Sequence, residues 1–64
     1  MDNIKEFSNG TFIQSVYTKI VYKVIEHDKR GMAILLNLRT DKKEDWNAEN
    51  NNHFIKVEGQ LNLF

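Results

Sequence analysis

The chain has 64 residues, of which 41% are hydrophobic and 28% are charged, a balance typical of a globular domain and not of a disordered chain. Nine basic and nine acidic side chains cancel to zero net charge, which excludes a uniform field that would attract phosphate backbones or anionic membranes. The lack of cysteine excludes a disulfide scaffold and a thiolate metal site, and it favours a reducing, cytoplasmic location.

The length and the hydropathy pattern predict one soluble domain of modest stability. A chain this short buries only about 60% of the surface that its unfolded form exposes. Residues 1–6 contain neither a basic region nor an apolar run, so we expect no secretory signal. No window approaches about 18 consecutive apolar residues, so we also expect no membrane contact.

Alternation with a period of two predicts three strands in the first forty residues. Ser8–Gly10 is a turn signal, and the first predicted strand follows at Thr11–Tyr17. The second predicted strand is Lys19–Glu26 and the third is Met32–Arg39. His27–Gly31, between them, is polar and ends in glycine, as a hairpin loop requires where one position takes a positive φ.

The third predicted strand has one wholly apolar face. Alternation divides its residues into Met32, Ile34, Leu36 and Leu38 on one side and Ala33, Leu35, Asn37 and Arg39 on the other. Because the first set contains no polar residue, we expect that set to form the core.

The composition changes in Thr40–Asn52, which is polar except around Trp46. This pattern predicts a loop or short helical turn with one buried anchor. Asp41 and Glu44 have the spacing of a capping box, which favours a short helix through Trp46, while a short strand at Trp46 is the other alternative. Strand character returns in His53–Glu58.

These elements predict a mostly β fold, a small antiparallel open barrel of four to five strands in residues 1–58, because short antiparallel strands in a small chain curl to remove exposed edges. The order of a long hairpin, a polar loop, a lone tryptophan and an aromatic-aliphatic strand resembles the small barrels of the Src-homology-3, KOW and Tudor kind. This resemblance covers roughly Gly10 to Glu58 and implies a fold without specifying a function.

Residues 59–64 are predicted to form a C-terminal docking peptide. Gln60-Leu61-Asn62-Leu63-Phe64 resembles the short peptide by which bacterial polymerases and repair proteins hold the ring-shaped DNA sliding clamp, commonly Gln-Leu-Ser/Asp-Leu-Phe. The motif specifies four positions, and the probability that all four match by chance at a chosen terminus is on the order of 1 in 10⁴ to 10⁵. The resemblance therefore predicts the bacterial sliding clamp as a partner.

The resemblance implies a role for each matched side chain. Leu63 and Phe64 would fill an apolar pocket of the clamp, Gln60 would hydrogen-bond beside it, and Leu61 would cover the floor between. Asn62 replaces the usual Ser or Asp. The α-carboxylate on Phe64, which places a charge near the anchor, is a second departure.

The same five residues have a structural alternative as the closing strand of the sheet. Alternation would then place Leu61 and Leu63 inward and Gln60 and Asn62 outward. The two interpretations compete, because a side chain packed in the core is not free to bind a partner.

A second candidate surface would bind nucleic acid through Tyr17, Lys19, Lys23 and Arg39, since aromatic rings stack on bases while nearby cations contact phosphates. Alternation places Tyr17, Lys19 and Lys23 on one side and Tyr22 on the other, which argues against one continuous patch. The alternative is that these are solvated charges beside core aromatics.

No catalytic, cofactor or metal site is expected. The two histidines, His27 and His53, lie far apart in sequence and outside any cluster with metal-ligand spacing. The carboxylates near Trp46 are interleaved with Lys42 and Lys43, which makes them a self-neutralising, solvated run. We found neither a phosphate-binding loop nor a nucleophile motif in the sequence.

The sequence thus predicts a non-enzymatic binding protein, either a replication or repair accessory or a phage-type inhibitor that occupies the clamp pocket. One alternative is a nucleic-acid- or protein-binding barrel in which residues 60–64 are structural. A further alternative is a phage-encoded inhibitor of a host defence or metabolic enzyme, acting through the acidic and Asn-rich loop.

Overall fold

The computed structural model describes residues 3–57, which form a five-stranded antiparallel sheet and one short 3-10 helix. The elements in chain order are η1 (Ile4–Glu6), β1 (Phe12–Ser15), β2 (Val21–His27), β3 (Met32–Asn37), β4 (Lys42–Asn47) and β5 (Phe54–Lys56). Within these residues no helix is long and apolar enough to cross a membrane. The predicted fold class, a mostly β small antiparallel open barrel, is confirmed.

The strands lie in the order β4-β3-β2-β1-β5, so the first four form a meander and the fifth returns to the opposite edge. Residues 48–53 make this return and bring the two edges of the sheet towards each other. The rings of Trp46 on β4 and Phe54 on β5 have centroids only 5.4 Å apart. This curvature produces the open barrel and encloses its core.

The β2–β3 hairpin forms where the sequence predicted it. Asp28 N–H donates to the carbonyl of Met32 at 2.7 Å, and Gly31 N–H donates to the carbonyl of Asp28 at 3.1 Å. Gly31 has φ +83, which glycine adopts without the steric cost of a Cβ. The requirement for positive φ at the end of this loop is therefore confirmed.

Trp46 lies on a strand, so the alternatives of a loop or a short helix at this position were wrong. β4 pairs with β3 continuously, from Met32 opposite Asn47 to Asn37 opposite Lys42. Asp41 cannot cap a helix here, because its φ of 63 is left-handed whereas an N-cap has extended backbone. Edge strands commonly carry charged residues, and this charge conceals the period of two in Lys42–Asn47.

The core lies on one side of the curved sheet, here called the inner face. Its buried members on the strands are Ile13, Ser15, Tyr22, Val24, Ala33, Leu35, Asn37 and Phe54. Ile4, Phe7 and Ala48 cover part of this face and are also buried. Backbone hydrogen bonds join the segments that contain these three residues, and in one of them Lys5 N–H donates to the carbonyl of Ala48 at 3.0 Å.

The prediction of the core side of β3 was wrong, because Ala33, Leu35 and Asn37 are the buried set. The other set, Met32, Ile34, Leu36 and Leu38, is half-buried and lies on the opposite side, here called the outer face. Asn37 accounts for the reversal. Its Oδ1 accepts hydrogen bonds from the N–H groups of Arg39 at 2.8 Å and Thr40 at 3.2 Å, so a polar side chain is satisfied inside.

Candidate functional site

Five rings gather at one end of the inner face, where the β1–β2 turn and the start of β5 meet. This aromatic cluster consists of Tyr17, Tyr22, Trp46, His53 and Phe54. Three of the rings meet edge to face, with centroid distances of 5.5 Å (Tyr22–Trp46), 5.8 Å (Tyr22–Phe54) and 5.4 Å (Trp46–Phe54). Phe54 and Tyr22 are buried and lie beneath the other rings.

The outer part of the cluster is a stack that leads from solvent to the core. Tyr17 is 78% exposed and stacks on His53 at 5.0 Å with an interplanar angle of 26°. His53 in turn stacks on Phe54 at 4.4 Å and 29°. A large exposed ring supported from below in this way is a surface suited to recognition, because it offers apolar area without further ordering of its support.

The β1–β2 turn positions Tyr17. Ser15 is buried, and its Oγ accepts hydrogen bonds from the N–H groups of Tyr17 at 3.2 Å and Thr18 at 3.3 Å. This serine-based turn ends β1 earlier than the sequence predicted, so Tyr17 projects from a turn. Its exposure thus follows from a local hydrogen-bond pattern and not from strand alternation.

Glu44 places a negative charge beside the cluster. Its Oε1 accepts a hydrogen bond from Trp46 Nε1 at 2.9 Å, and its Oε2 accepts one from Asn37 Nδ2 at 3.0 Å. Burial raises the pKa of the Tyr22 hydroxyl, and the charge of Glu44 raises it further. The carboxylate therefore fixes the orientation of the indole ring and disfavours ionisation of the neighbouring phenol.

The structure places three of the four residues predicted to contact nucleic acid at one end of the sheet and the fourth on the outer face. Tyr17 and Lys19 lie in the β1–β2 turn, and Arg39 is exposed in the β3–β4 turn at the same end of the sheet. Lys23 lies on the outer face, opposite Phe12 in the β1–β2 register, with its Nζ 5.8 Å from the centroid of that ring. The first three residues can share a ligand at this end, and Lys23 faces away from it.

His53 belongs to the aromatic cluster and Glu44 lies beside it, although no sequence pattern selected either residue. The contact of His53 with Tyr17 joins distant parts of the chain and depends on the return of residues 48–53 across the barrel. Glu44 and Trp46 are two positions apart, which would have placed them on one side of a strand had β4 been recognised.

Two further predicted features bear on the site. The clamp-binding residues Gln60, Leu61, Leu63 and Phe64 lie outside the residues that the structure describes. Within residues 3–57, no group of three or more His, Asp or Glu side chains is arranged to hold a metal ion.

Comparisons with protein-family models, with curated proteins and with solved structures find no match to this chain.

Proposed function

We propose that this protein is a small non-enzymatic binding protein that docks on the bacterial DNA sliding clamp through Gln60, Leu61, Leu63 and Phe64. Its setting would be DNA replication or repair, as an accessory protein or as a phage-type inhibitor of the clamp. The resemblance of Gln60-Leu61-Asn62-Leu63-Phe64 to clamp-binding peptides is the observation on which the proposal depends.

The topology of the sheet supports this proposal over the closing-strand alternative. The five strands are paired in the order β4-β3-β2-β1-β5, and contact between Trp46 on β4 and Phe54 on β5 at 5.4 Å already joins the two edge strands. All five strands lie in residues 12–56, so the described barrel does not require a strand from residues 60–64. The proposal therefore gives the side chains of residues 60–64 a binding role.

Titration of purified clamp with the full-length protein tests the proposal. Leu63→Ala/Phe64→Ala removes the two proposed anchors and should weaken binding by several kcal/mol if they are hot spots. Asn62→Ala is the matched control, since that side chain is expected to face solvent and its loss should change the affinity little. Circular dichroism of each variant would establish that the barrel remains folded.

Two outcomes would contradict clamp docking. Failure of the wild-type protein to bind the clamp excludes it directly. Equal affinity of the wild type and the folded double variant shows that a different surface binds. Loss of folding in the double variant would instead support the closing-strand alternative.

The stacked pair Tyr17 and His53 favours a second candidate function, binding of single-stranded nucleic acid at the aromatic cluster. Tyr17 would stack on a base, while Lys19 and Arg39 at the same end of the sheet would contact phosphates. The zero net charge makes such a contact local, so only a short segment of the strand would be held.

Fluorescence anisotropy with a labelled oligothymidine tests this second function. Tyr17→Ala should weaken binding by about 1–3 kcal/mol, the usual contribution of one base stacked on an aromatic ring. Lys23→Ala is the control, because Lys23 lies on the outer face and should contribute little. An equal loss in both variants, or no binding by the wild type, would exclude the aromatic cluster as a nucleic-acid site.

A further inference from the structure

β4 is an edge of the sheet, and among residues 3–57 it has a hydrogen-bonded strand neighbour on one side only. It is six residues long, whereas the other edge strand, β5, has three residues. The contact between Trp46 and Phe54 joins these two edges through side chains of the inner face and not through a backbone ladder. Such an edge can pair with a further strand, because it presents a row of unpaired N–H and C=O groups.

The register with β3 shows which backbone groups of β4 face away from the sheet. Ala48 N–H donates to the carbonyl of Gly31 at 2.8 Å, so these two residues occupy a hydrogen-bonded position of the β3–β4 ladder. Hydrogen-bonded positions recur at every second residue, so the even-numbered residues of β4 direct their backbone groups to β3. The odd-numbered residues direct theirs to the open side, and these are Lys43, Asp45 and Asn47.

Lys43 and Asp45 are the positions at which a further strand can pair. The third odd-numbered residue, Asn47, already uses its carbonyl, which accepts a hydrogen bond from Asn51 Nδ2 at 2.7 Å. Lys43 and Asp45 are both exposed, and alternation places their side chains together on the outer face. Opposite charges on facing strands attract, so an antiparallel partner matches this edge when a basic residue precedes an acidic residue by two positions. Lys43 and Asp45 themselves have that order and spacing.

We propose that β4 is a docking edge for a second copy of this chain and pairs antiparallel with β4 of that copy. A two-fold axis then passes between the two Glu44 residues, and Lys43 of each chain lies opposite Asp45 of the other. At each of these positions the two chains exchange both backbone hydrogen bonds. The contact goes beyond the proposed functions and uses no residue of the proposed clamp-binding peptide.

Charge selects this register over its neighbours. The odd-numbered residues must face one another, so the register can slip only in steps of two residues. One such slip places Lys43 opposite Lys43 of the second copy, and the other places Asp45 opposite Asp45, and both are destabilising because like charges face each other. The proposed register also brings Lys42 opposite Trp46 of the second copy, where an ammonium group is attracted to the half-buried indole ring.

Glu44 forms the one unfavourable pair, because it faces Glu44 of the second copy on the inner face. Its carboxylate is held towards β3, away from the open edge, by the hydrogen bond of 3.0 Å from Asn37 Nδ2. Glu44→Gln removes the remaining repulsion and retains one acceptor oxygen. We expect this variant to dimerise about two- to fivefold more tightly than the wild type. Unchanged or weaker dimerisation of the folded variant would overturn the proposed register.

Sedimentation and amide hydrogen exchange test the pairing in the full-length protein. Measurements from about 10 μM to about 1 mM cover the dissociation constants expected of a small interface. We expect association to increase with concentration and the amides of Lys43 and Asp45 to exchange more slowly as it does. No association in this range would overturn the proposal, as would association that leaves these two amides unchanged. Slow exchange that does not depend on concentration would also overturn it, because the edge would then be covered within one chain.

Charge reversal tests the contact between Lys43 and Asp45. Lys43→Glu and Asp45→Lys each place like charges at both symmetry-related positions, so each variant alone should self-associate about tenfold more weakly, or less. A mixture of the two variants restores opposite charges at both positions and should associate as the wild type does. Lys29→Glu, which reverses an exposed charge in the β2–β3 loop, is the matched control and should leave dimerisation unchanged.

Circular dichroism would establish that each variant remains folded. Failure of the mixture to associate would overturn the pairing of Lys43 with Asp45. An equal loss of association in Lys29→Glu would show that net charge, and not the β4 edge, controls association, and would overturn the proposal.

Discussion

The indole N–H of Trp46 donates a hydrogen bond of 2.9 Å to Oε1 of Glu44, the residue two positions earlier on β4. The other carboxylate oxygen accepts from Asn37 Nδ2 at 3.0 Å, so one side chain joins an edge strand to its neighbour. Because both donors are part-buried, the carboxylate replaces water as their acceptor.

Glu44→Leu should therefore destabilise the barrel by about 1–2 kcal/mol, since it leaves two part-buried donors without an acceptor. Urea unfolding followed by Trp46 fluorescence measures this. Asp45→Leu is the matched control, since it makes the same change at the next position, which faces outward and is exposed, and its effect should stay within about 0.5 kcal/mol. Equal losses in the two variants would show that the Trp46–Glu44 contact contributes nothing.

Asn37→Leu should destabilise the protein although it adds apolar area to the core. The N–H groups of Arg39 and Thr40 would lose their acceptor in the β3–β4 turn, at a cost of about 1–3 kcal/mol. The measurement is the midpoint of thermal unfolding. A variant as stable as the wild type would mean that the turn does not need this side chain.

Stability should fall at alkaline pH because of Tyr22. Burial, and secondarily the charge of Glu44, raises its pKa in the folded state above the ordinary value of 10.0. The folded state therefore favours the neutral phenol, and its advantage is complete below pH 10 and is lost as the pH rises towards the folded pKa. Urea midpoints measured from pH 8 to 11 should decline above pH 10.

Tyr22→Phe should remove part of that alkaline decline, because it has no proton to lose at this position. Tyr17→Phe, which removes a hydroxyl from the exposed ring, is the control and should retain the decline. Identical profiles for the wild type and Tyr22→Phe would contradict the assignment.

Lys19→Gly should leave stability unchanged or raise it by up to about 1 kcal/mol. Lys19 has φ 67, a left-handed conformation that costs a residue with a Cβ roughly 1–2 kcal/mol. Glycine removes this steric cost, but it also increases the conformational entropy of the unfolded chain, which offsets part of the gain in stability. Thr18→Gly, one position earlier, has no positive φ to relieve and should destabilise. Denaturant titration of the two variants compares them, and a greater loss for Lys19→Gly would exclude backbone relief.

Strand alternation and turn chemistry predicted much of the fold. The hairpin at Gly31 and the turn at Gly10 were predictable because each is a polar run that ends in glycine before a strand, and both glycines have positive φ. β4 was not predictable in this way, because an exposed edge strand carries charged residues on both sides, and these hide the alternation of apolar and polar residues. The core side of β3 was misassigned because the hydrogen bonds that satisfy Asn37 come from a turn whose geometry the sequence does not display.

The candidate site was predicted less well than the fold. Tyr17 was selected for its chemistry, but its partner His53 becomes a neighbour only after residues 48–53 recross the barrel. Lys23 was grouped with Tyr17 because strand alternation would place them on one side. That alternation does not continue through the turn at Ser15, which interrupts the strand. Contacts made by chain reversal are therefore the part that a local pattern cannot supply.

The length of β5 has a consequence for how the aromatic cluster behaves over time. β5 has three residues, and β1 is its hydrogen-bonded strand neighbour among the described residues, yet it carries Phe54, the largest fully buried side chain. Short edge strands are the first to open in native-state fluctuations. Each opening of β5 would withdraw the Phe54 ring from beneath His53 and separate it from Trp46, so the aromatic cluster would lose its support whenever this three-residue strand opens.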